Sequence, residues 1–159
     1  MRRPILVLAM LLATATALAD DAATCAAGSG TYLTGVVVDP PRFAHGSFRR
    51  GIELSHTHLR VRPDGRGQVY DVAIDNVFAS GYDPAKATIP APIDSIQKND
   101  RVAVCGATYT TGGPGIHWVH PNCRGKSDPA HPNGFLKRIG PDGKASGNLE
   151  SSTNYCSWF

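Results

Sequence analysis

Short apolar runs that end in turn residues recur along the chain and restrict it to a mainly β fold. Each run is rich in β-branched or aromatic residues, and proline, glycine or aspartate follows most of them. This pattern is typical of β-strands joined by turns, because helices need longer runs with a 3.6-residue period. The predicted strands span residues 31–38, 52–62, 68–78, 101–110 and 116–120, with residues 135–139 as a candidate sixth.

Residues 112–123 bring a turn, a strand, two histidines and a tryptophan together in the sequence GGPGIHWVHPNC. The glycines and the first proline predict a hairpin loop, and a Pro-Asn pair ends the strand that follows. Alternate side chains of a strand face opposite sides, so Ile116, Trp118 and His120 should share one side and His117 should take the other. We predict that His120 is buried and that His117 faces solvent.

The segments between and beyond these strands lack the β pattern. Residues 79–99 contain three prolines and predict a short helical or irregular connection between the third and fourth strands. Residues 42–51 are predicted to be a loop, and the small, polar residues 20–30 an irregular lead-in. Residues 141–159 form a tail that is poor in apolar side chains. The predicted β-barrel domain therefore covers residues 31–140.

The first 19 residues have the layout of a secretory signal peptide. Two early arginines precede an apolar run, and small residues precede the expected cleavage point after Ala19. An uncleaved anchor is the alternative, although a membrane span requires about 20 apolar residues. Cleavage leaves 140 of the 159 residues, and 14 of the 16 lysines and arginines against 13 acidic residues. We therefore predict a secreted or periplasmic single-domain protein, without a membrane span in the mature chain and without bulk attraction to nucleic acid.

All four cysteines lie in the predicted mature chain, and export favours disulfides. Three pairings are possible. A hairpin that turns at residues 112–115 would bring Cys105 close to Cys123, which predicts a bond at the base of the hairpin. Cys25 and Cys156 would then join the two ends of the chain and tether the tail. The cysteine spacing does not match a zinc knuckle.

The stretch GIHWVH at residues 115–120 is accompanied by other motifs. They are IDSIQKNDRV at residues 93–102, then Gly106, Tyr109, His131 and Gly134. Together they resemble a family of small, exported bacterial domains that has no assigned activity, and the likeness extends over residues 52–140. The cysteines, residues 42–51 and the tail depart from it.

Domains of that family look like compact OB barrels akin to the staphylococcal nuclease core. An OB fold has five strands in a partly open Greek-key barrel, which agrees with the number of strands predicted here and with the connection between the third and fourth. The expected fold class is therefore mostly β: a small, five- to six-stranded OB-like Greek-key barrel with disulfides. The resemblance implies no activity and no cofactor.

Some side chains are candidates for contacting a ligand. They are Arg49, Arg50, Arg60, His117, Trp118 and His120. The arginines belong to residues 42–66, where six arginines face two acidic residues, so a local basic face is expected; scattered, solvated arginines are the alternative. The tryptophan is either part of the core or a stacking platform. A polyanion or an oligosaccharide is the class of ligand that this set would suit.

His56 and His58 share one face of the second strand, and with His131 or an aspartate they are candidate metal ligands. Surface histidines without a metal are the alternative. Asp71 and Asp75, together with the arginines, offer the carboxylates and cations that a metal-dependent nuclease requires. The spacing of the acidic residues matches no calcium or magnesium loop, and the sequence predicts no cofactor.

Three functions agree with this sequence. The leading hypothesis is a monomeric, exported β-barrel that binds a ligand and is not an enzyme. The second is a metal-dependent nuclease or phosphodiesterase on the same barrel. The third is a structural component of the cell surface or envelope.

Overall fold

The computed structural model describes residues 17–65 and 67–158, and the part of the chain that it describes is mainly β. Its strands are β1 (Thr31–Val37), β2 (Arg42–Arg49), β3 (Ile52–Pro63), β4 (Tyr70–Asp75), β5 (Arg101–Tyr109), β6 (Gly115–His117) and β7 (Phe135–Ile139). Short 3-10 helices occupy Asn76–Phe78, Ile93–Ser95 and Cys156–Trp158, and residues 17–27 are α-helical. Most of the predicted signal peptide, together with Arg66 and Phe159, lies outside the described residues.

Five of the strands close into a barrel. β1 pairs with β3, β3 with β4, β4 with β6, β6 with β5, and β5 returns to β1. The contact between β4 and β6 is parallel, and the other contacts are antiparallel. β2 adds to the outside edge of β3, and β7 adds to β5. This confirms the predicted small, mostly β barrel, and it places the connection without strands between β4 and β5, where the sequence predicts it.

Alternate residues of the strands fill the barrel. Leu59 and Val61 of β3 and Val72 and Ile74 of β4 are fully buried, and their neighbours in sequence point outward. Each fully buried side chain of this size contributes about 1.5–3 kcal/mol to stability through removal of apolar surface from water. This alternation determines which side chains of β3 and β4 remain on the outer face.

β5 is buried on both of its faces. One face lines the barrel, while Ala103 and Cys105 on the other face pack against Phe135 and Ile139 of β7 and against Cys25. A strand that is covered on both faces needs a continuous run of apolar residues, whereas a strand with one exposed face alternates apolar and polar residues. The sequence of β5 has such a continuous run. The second, smaller core is closed by the helix of residues 17–27.

The irregular lead-in predicted for residues 20–30 is wrong for residues 20–27, which are helical. Leu18 and Cys25 of this helix pack against the second core, and Asp21 pairs with Lys137 of β7. The apolar positions are too few to give a helical pattern in the sequence. Packing against the apolar outer face of β5 and against β7 holds the helix in place.

The predicted disulfide pairing is also wrong. The bonds join Cys25 to Cys105 and Cys123 to Cys156. The prediction assumed a hairpin register that sets Thr111 opposite Ile116, but Thr108 lies opposite Ile116. In β5, Val104 faces the barrel core and Cys105 faces the second core, where it bonds to Cys25 of the helix. Cys123 lies in the loop beyond β6 and receives the tail instead.

Residues 42–49 form a strand, so the loop predicted for residues 42–51 is wrong. β2 and β3 make a two-stranded ribbon with a bulge between Ala44 and Ser47, and Arg50 and Gly51 turn the chain with φ of 51° and 82°. Phe48 is 73% exposed. Because no side chain of β2 belongs to either core, β2 lacks the regular alternation that half-buried strands show.

The strand predicted for residues 116–120 ends at His117. Trp118 has a φ of 60°, a left-handed conformation that breaks the strand alternation. The chain passes close to Gly134 here, and a Cβ on Gly134 would lie 2.2 Å from the carbonyl oxygen of Trp118. Val119 and His120 are consequently both buried.

Candidate functional site

The outer face of β3 and β4 carries two histidine–aspartate pairs. His56 lies directly opposite Asp75 in the strand register, and His56 Nε2 is 2.9 Å from Asp75 Oδ1. His58 lies opposite Ala73, and its Nδ1 is 2.8 Å from Asp71 Oδ2. The predicted shared face of both histidines is confirmed.

Ala73 forms the floor of an open depression. The parallel register of β4 and β6 sets Val72 beside Ile116, so the next position along sets Ala73 beside His117. A small side chain between His58 and His117 leaves space, and the depression has a volume of about 390 Å³. Its lining residues are His56, His58, Asp71, Ala73, Tyr109, Thr111 and His117, and we call it the histidine depression.

Tyr109 closes one side of the histidine depression. Its hydroxyl donates to Asp71 Oδ2 at 2.7 Å, and its ring packs edge-on against His117 with centroids 5.7 Å apart. A Cβ on Gly115 would lie 2.1 Å from this ring, so the glycine is needed for the ring to lie over β6. Burial, followed by the neighbouring Asp71, raises the pKa of Tyr109, and the hydroxyl remains a neutral donor.

Asp75 bridges two histidines. Its second oxygen, Oδ2, is 3.4 Å from Nε2 of His120, which approaches from the protein interior. Burial alone would raise the pKa of Asp75, but the hydrogen bonds and charges of His120 and His56 outweigh it and hold that pKa well below its ordinary value. The same bond to Asp75 raises the pKa of His56, against the opposing effect of burial. The ionised Asp75 therefore stabilises the protonated form of His56.

His120 lies behind this face, and its burial confirms the prediction. It is stacked on Phe78, with ring centroids 3.6 Å apart and an interplanar angle of 8°. Nδ1 is 2.9 Å from the carbonyl oxygen of Pro121, so Nδ1 carries the hydrogen and any proton on Nε2 points toward Asp75. Its side chain is 1% exposed, so His120 orients Asp75 and does not contact a ligand in solvent.

A fully buried carboxyl group, Glu150, lies near the same aspartate. Among the described residues, neither of its carboxyl oxygens has a hydrogen-bond partner. Burial, with a smaller contribution from the charge of Asp75, raises the pKa of Glu150 well above its ordinary value of 4.5. The tail positions Glu150 through its backbone, since Leu149 N–H donates to the Leu136 carbonyl and Ser152 N–H donates to the Phe78 carbonyl.

His117 is half-buried in the histidine depression. Burial is the main cause of its lowered pKa; the charge of Asp75 opposes this, while His120, His56 and His131 add to it. Its ring has no hydrogen bond or ion pair within residues 17–65 and 67–158. His117 is therefore mainly neutral near pH 7 and keeps both ring nitrogens for a ligand.

The other predicted site residues do not line the histidine depression. Arg49 and Arg50 are at the tip of the ribbon, where the Arg50 guanidinium lies 5.8 Å from the centroid of the Trp158 ring. Arg60 is exposed on the outer face of β3, opposite Asp71. Trp118 is half-buried and packs against the rings of His120 and His131. This contact makes Trp118 part of the packing rather than a free platform.

His131 does not join His56 and His58. It pairs with Asp128, three residues before it, and packs against Trp118. Within the residues that the structure describes, no group of three or more histidine, cysteine, aspartate or glutamate side chains is arranged to hold a metal ion. In the same part of the chain, no helix has the length and apolar character needed to cross a membrane.

Comparison with protein-family models finds no family that matches this chain, and comparison with curated proteins finds no similar sequence. The candidate site is therefore defined by its geometry. Sequence reasoning missed Ala73, Tyr109 and Glu150 as parts of it. The alternation of β4 could have pointed to Ala73, which shares a face with Asp71 and Asp75. Nothing in the polar tail sequence distinguishes Glu150 as a buried residue.

Proposed function

We propose that this protein is an exported β-barrel that binds a phosphate-bearing polyanion in the histidine depression. The observation that carries the proposal is the convergence of His56, His58 and His117 around one open depression. Imidazole and imidazolium groups donate hydrogen bonds to phosphate oxygens, and charged donors make the stronger bonds. His56 is the main charged donor, because Asp75 stabilises its protonated form.

The position of the depression on the barrel supports a binding role. The closed order β1–β3–β4–β6–β5, with one parallel contact, is the reason for proposing an OB-like barrel, as the family resemblance also implies. OB folds bind oligonucleotides and oligosaccharides on the face of their second and third strands. The second and third strands of this barrel are β3 and β4, which carry His56, His58 and Asp71.

Export of the chain belongs to the same proposal. Two disulfides close the structure, and disulfides persist in oxidising compartments outside the cytosol. The signal-peptide pattern of residues 1–19 supplies the route to such a compartment. The ligand is therefore one that the protein meets in the periplasm or outside the cell.

Binding of a fluorescent single-stranded DNA oligonucleotide tests the proposal. We expect measurable binding that weakens as salt increases and as the pH rises from about 6 to about 8, because protonated histidines contribute the charge. The variant Ala73→Leu should abolish binding by filling the depression, and His56→Gln combined with His58→Gln should weaken it. His45→Gln is the matched control, since His45 is exposed and pairs with Glu53 outside the depression.

Other outcomes would replace the proposal. Equal binding by the Ala73→Leu variant and the wild-type protein would move the ligand away from the histidine depression. Preference for a neutral oligosaccharide over the oligonucleotide would exclude a charge-based site. Cleavage of the DNA that requires a divalent cation would favour the metal-dependent phosphodiesterase. If the protein binds none of these probes, the hypothesis of a structural role at the cell surface or envelope would remain.

A further inference from the structure

The two histidines at the sides of the depression are held in opposite ways. His56 is anchored through Nε2 to Asp75, which leaves its Nδ1 as the nitrogen that can reach a ligand. His117 has no hydrogen bond or ion pair in the described part of the chain. An aspartate that orients one imidazole also stabilises its protonated form, as in the histidine–aspartate pair of a catalytic triad.

The surroundings of these two histidines favour different protonation states. Asp75 favours the imidazolium form of His56, while burial and the nearby imidazoles favour the neutral form of His117. Two titratable groups whose pKa values are moved apart in one site are suited to act as an acid and a base. In the pH range between the two pKa values the depression therefore offers a proton donor and a proton acceptor together.

The side chains of the depression do not supply an activated nucleophile. The Tyr109 hydroxyl is bonded to Asp71, and within the described residues Thr111 has no histidine as a hydrogen-bond partner. An acid and a base without a nucleophile suit a substrate that carries its own attacking group. Among phosphate-bearing polyanions, RNA carries such a group, the 2′-hydroxyl next to each phosphodiester.

We infer that His56 and His117 form a general acid–base pair that cleaves RNA through the 2′-hydroxyl of the substrate; this inference rests on the proposed function. His117 accepts the proton of the 2′-hydroxyl while that oxygen forms a bond to phosphorus. The bond from phosphorus to the 5′-oxygen breaks, and His56 donates its proton to that leaving oxygen. The products are a 2′,3′-cyclic phosphate and a free 5′-hydroxyl, so atoms and electrons balance without a further reactant.

Other groups around the pair prepare it for this step. His120 and His56 hold Asp75 between them, and the neutral Glu150 lies behind the aspartate without adding a second negative charge. His58, bonded to Asp71 through Nδ1, keeps Nε2 available for a phosphate oxygen. The titratable groups around His56 and His117 are Asp75, His120, His131, His58, Asp71 and Tyr109.

Cleavage of a short, labelled oligoribonucleotide in the presence of EDTA tests the inference. We expect a 2′,3′-cyclic phosphate product, identified by mass spectrometry, and a bell-shaped dependence of rate on pH. His56→Gln should remove the alkaline limb and His117→Gln the acidic limb, each with a loss of about 100-fold or more in rate. His45→Gln should retain the full rate, and thermal melts should show that all variants are folded.

The experiment separates this inference from the proposed function. DNA and 2′-O-methyl RNA lack the attacking hydroxyl and should bind without being cleaved. Binding of these analogues without cleavage of RNA would overturn the acid–base pair and leave the binding function standing. Failure of every oligonucleotide to bind would overturn both. Cleavage that is unchanged in His56→Gln and His117→Gln would show that the activity arises elsewhere.

Discussion

Single residues determine the electrostatics of the candidate site, and Glu150 is the most unusual of them. It is a carboxyl group with no exposed surface, and the described residues offer its oxygens no hydrogen bond. An ionised carboxylate would be costly in that position, and Asp75 nearby already carries a negative charge. Glu150 therefore keeps its proton in the folded protein at a pH where the unfolded chain has lost it.

The raised pKa of Glu150 makes stability depend on pH. The unfolded chain ionises this group above its ordinary value of 4.5, while the folded protein retains the proton, so stability falls as the pH rises above 4.5. The variant Glu150→Gln should remove this loss. We expect its free energy of unfolding to exceed that of the wild type by an amount that grows with pH, by up to about 1.4 kcal/mol per pH unit.

Denaturant unfolding of the wild type and of Glu150→Gln at about pH 4 and about pH 8 measures this difference. The two proteins should be similar at the lower pH and diverge at the higher one. Glu53→Gln is a useful comparison, since the Gly46 N–H and His45 lower the pKa of that half-buried carboxylate and its pH dependence should have the opposite sign. A constant difference between wild type and Glu150→Gln would show that Glu150 is ionised in the folded state.

At the scale of elements, the ribbon of β2 and β3 extends the barrel surface. Its tip carries Arg49 and Arg50, and Phe48 beside them is the exposed large apolar residue of the described chain. β3 continues from this tip into the histidine depression, so a long polyanion lying along β3 would meet both. The ribbon therefore places positive charge at a distance from the histidine depression.

Replacing Arg49 and Arg50 together with glutamine tests this role of the ribbon. If both arginines contact phosphates of a bound oligonucleotide, the double variant should bind more weakly. The slope of log affinity against log salt concentration should then become shallower by an amount that corresponds to about two phosphate contacts. Binding measured at several salt concentrations gives that slope. Arg124→Gln is the control, because Arg124 is exposed in the loop beyond β6. An unchanged slope would mean that neither arginine contacts a phosphate of the ligand.

On the scale of the whole molecule, two disulfides attach the two ends of the described chain to the barrel. Cys25–Cys105 joins the helix of residues 17–27 to β5, and Cys123–Cys156 joins the tail to the loop beyond β6. The second bond spans 33 residues, and loop entropy predicts a contribution of about 4 kcal/mol to stability. The tail that it fixes includes Glu150, so this bond also supports the surroundings of Asp75.

Replacing Cys123 and Cys156 with serine should lower the melting temperature and loosen the tail selectively. Hydrogen exchange should become faster at the amides of Leu149 and Ser152, which donate to the carbonyls of Leu136 and Phe78, while the amides of β5 stay protected. In the comparison variant, Cys25→Ser with Cys105→Ser, exchange should increase in the helix instead. Equal loosening of both ends in both variants would contradict independent tethers.

The sequence by itself determined the fold class, most strand positions and the direction of many side chains. These features depend on local alternation and on turn residues, so β1, β3, β4, β5 and β7 could be recognised. The shared outer face of His56 and His58 follows from the same rule. β2 escaped prediction because neither of its faces is in a core, and the helix of residues 17–27 because few of its side chains pack.

Only the tertiary structure decided how distant segments meet. The disulfide pairing depends on the register of β5 and β6 and on which face of β5 the helix covers, and short apolar runs do not encode register. The depression depends on Ala73 lying between His58 and His117, and His117 is brought there by the parallel contact of β4 and β6, whose paired residues are 44 positions apart in the sequence. The charge states of Asp75, Glu150 and His117 depend on burial and on neighbours from other strands, which no local pattern contains.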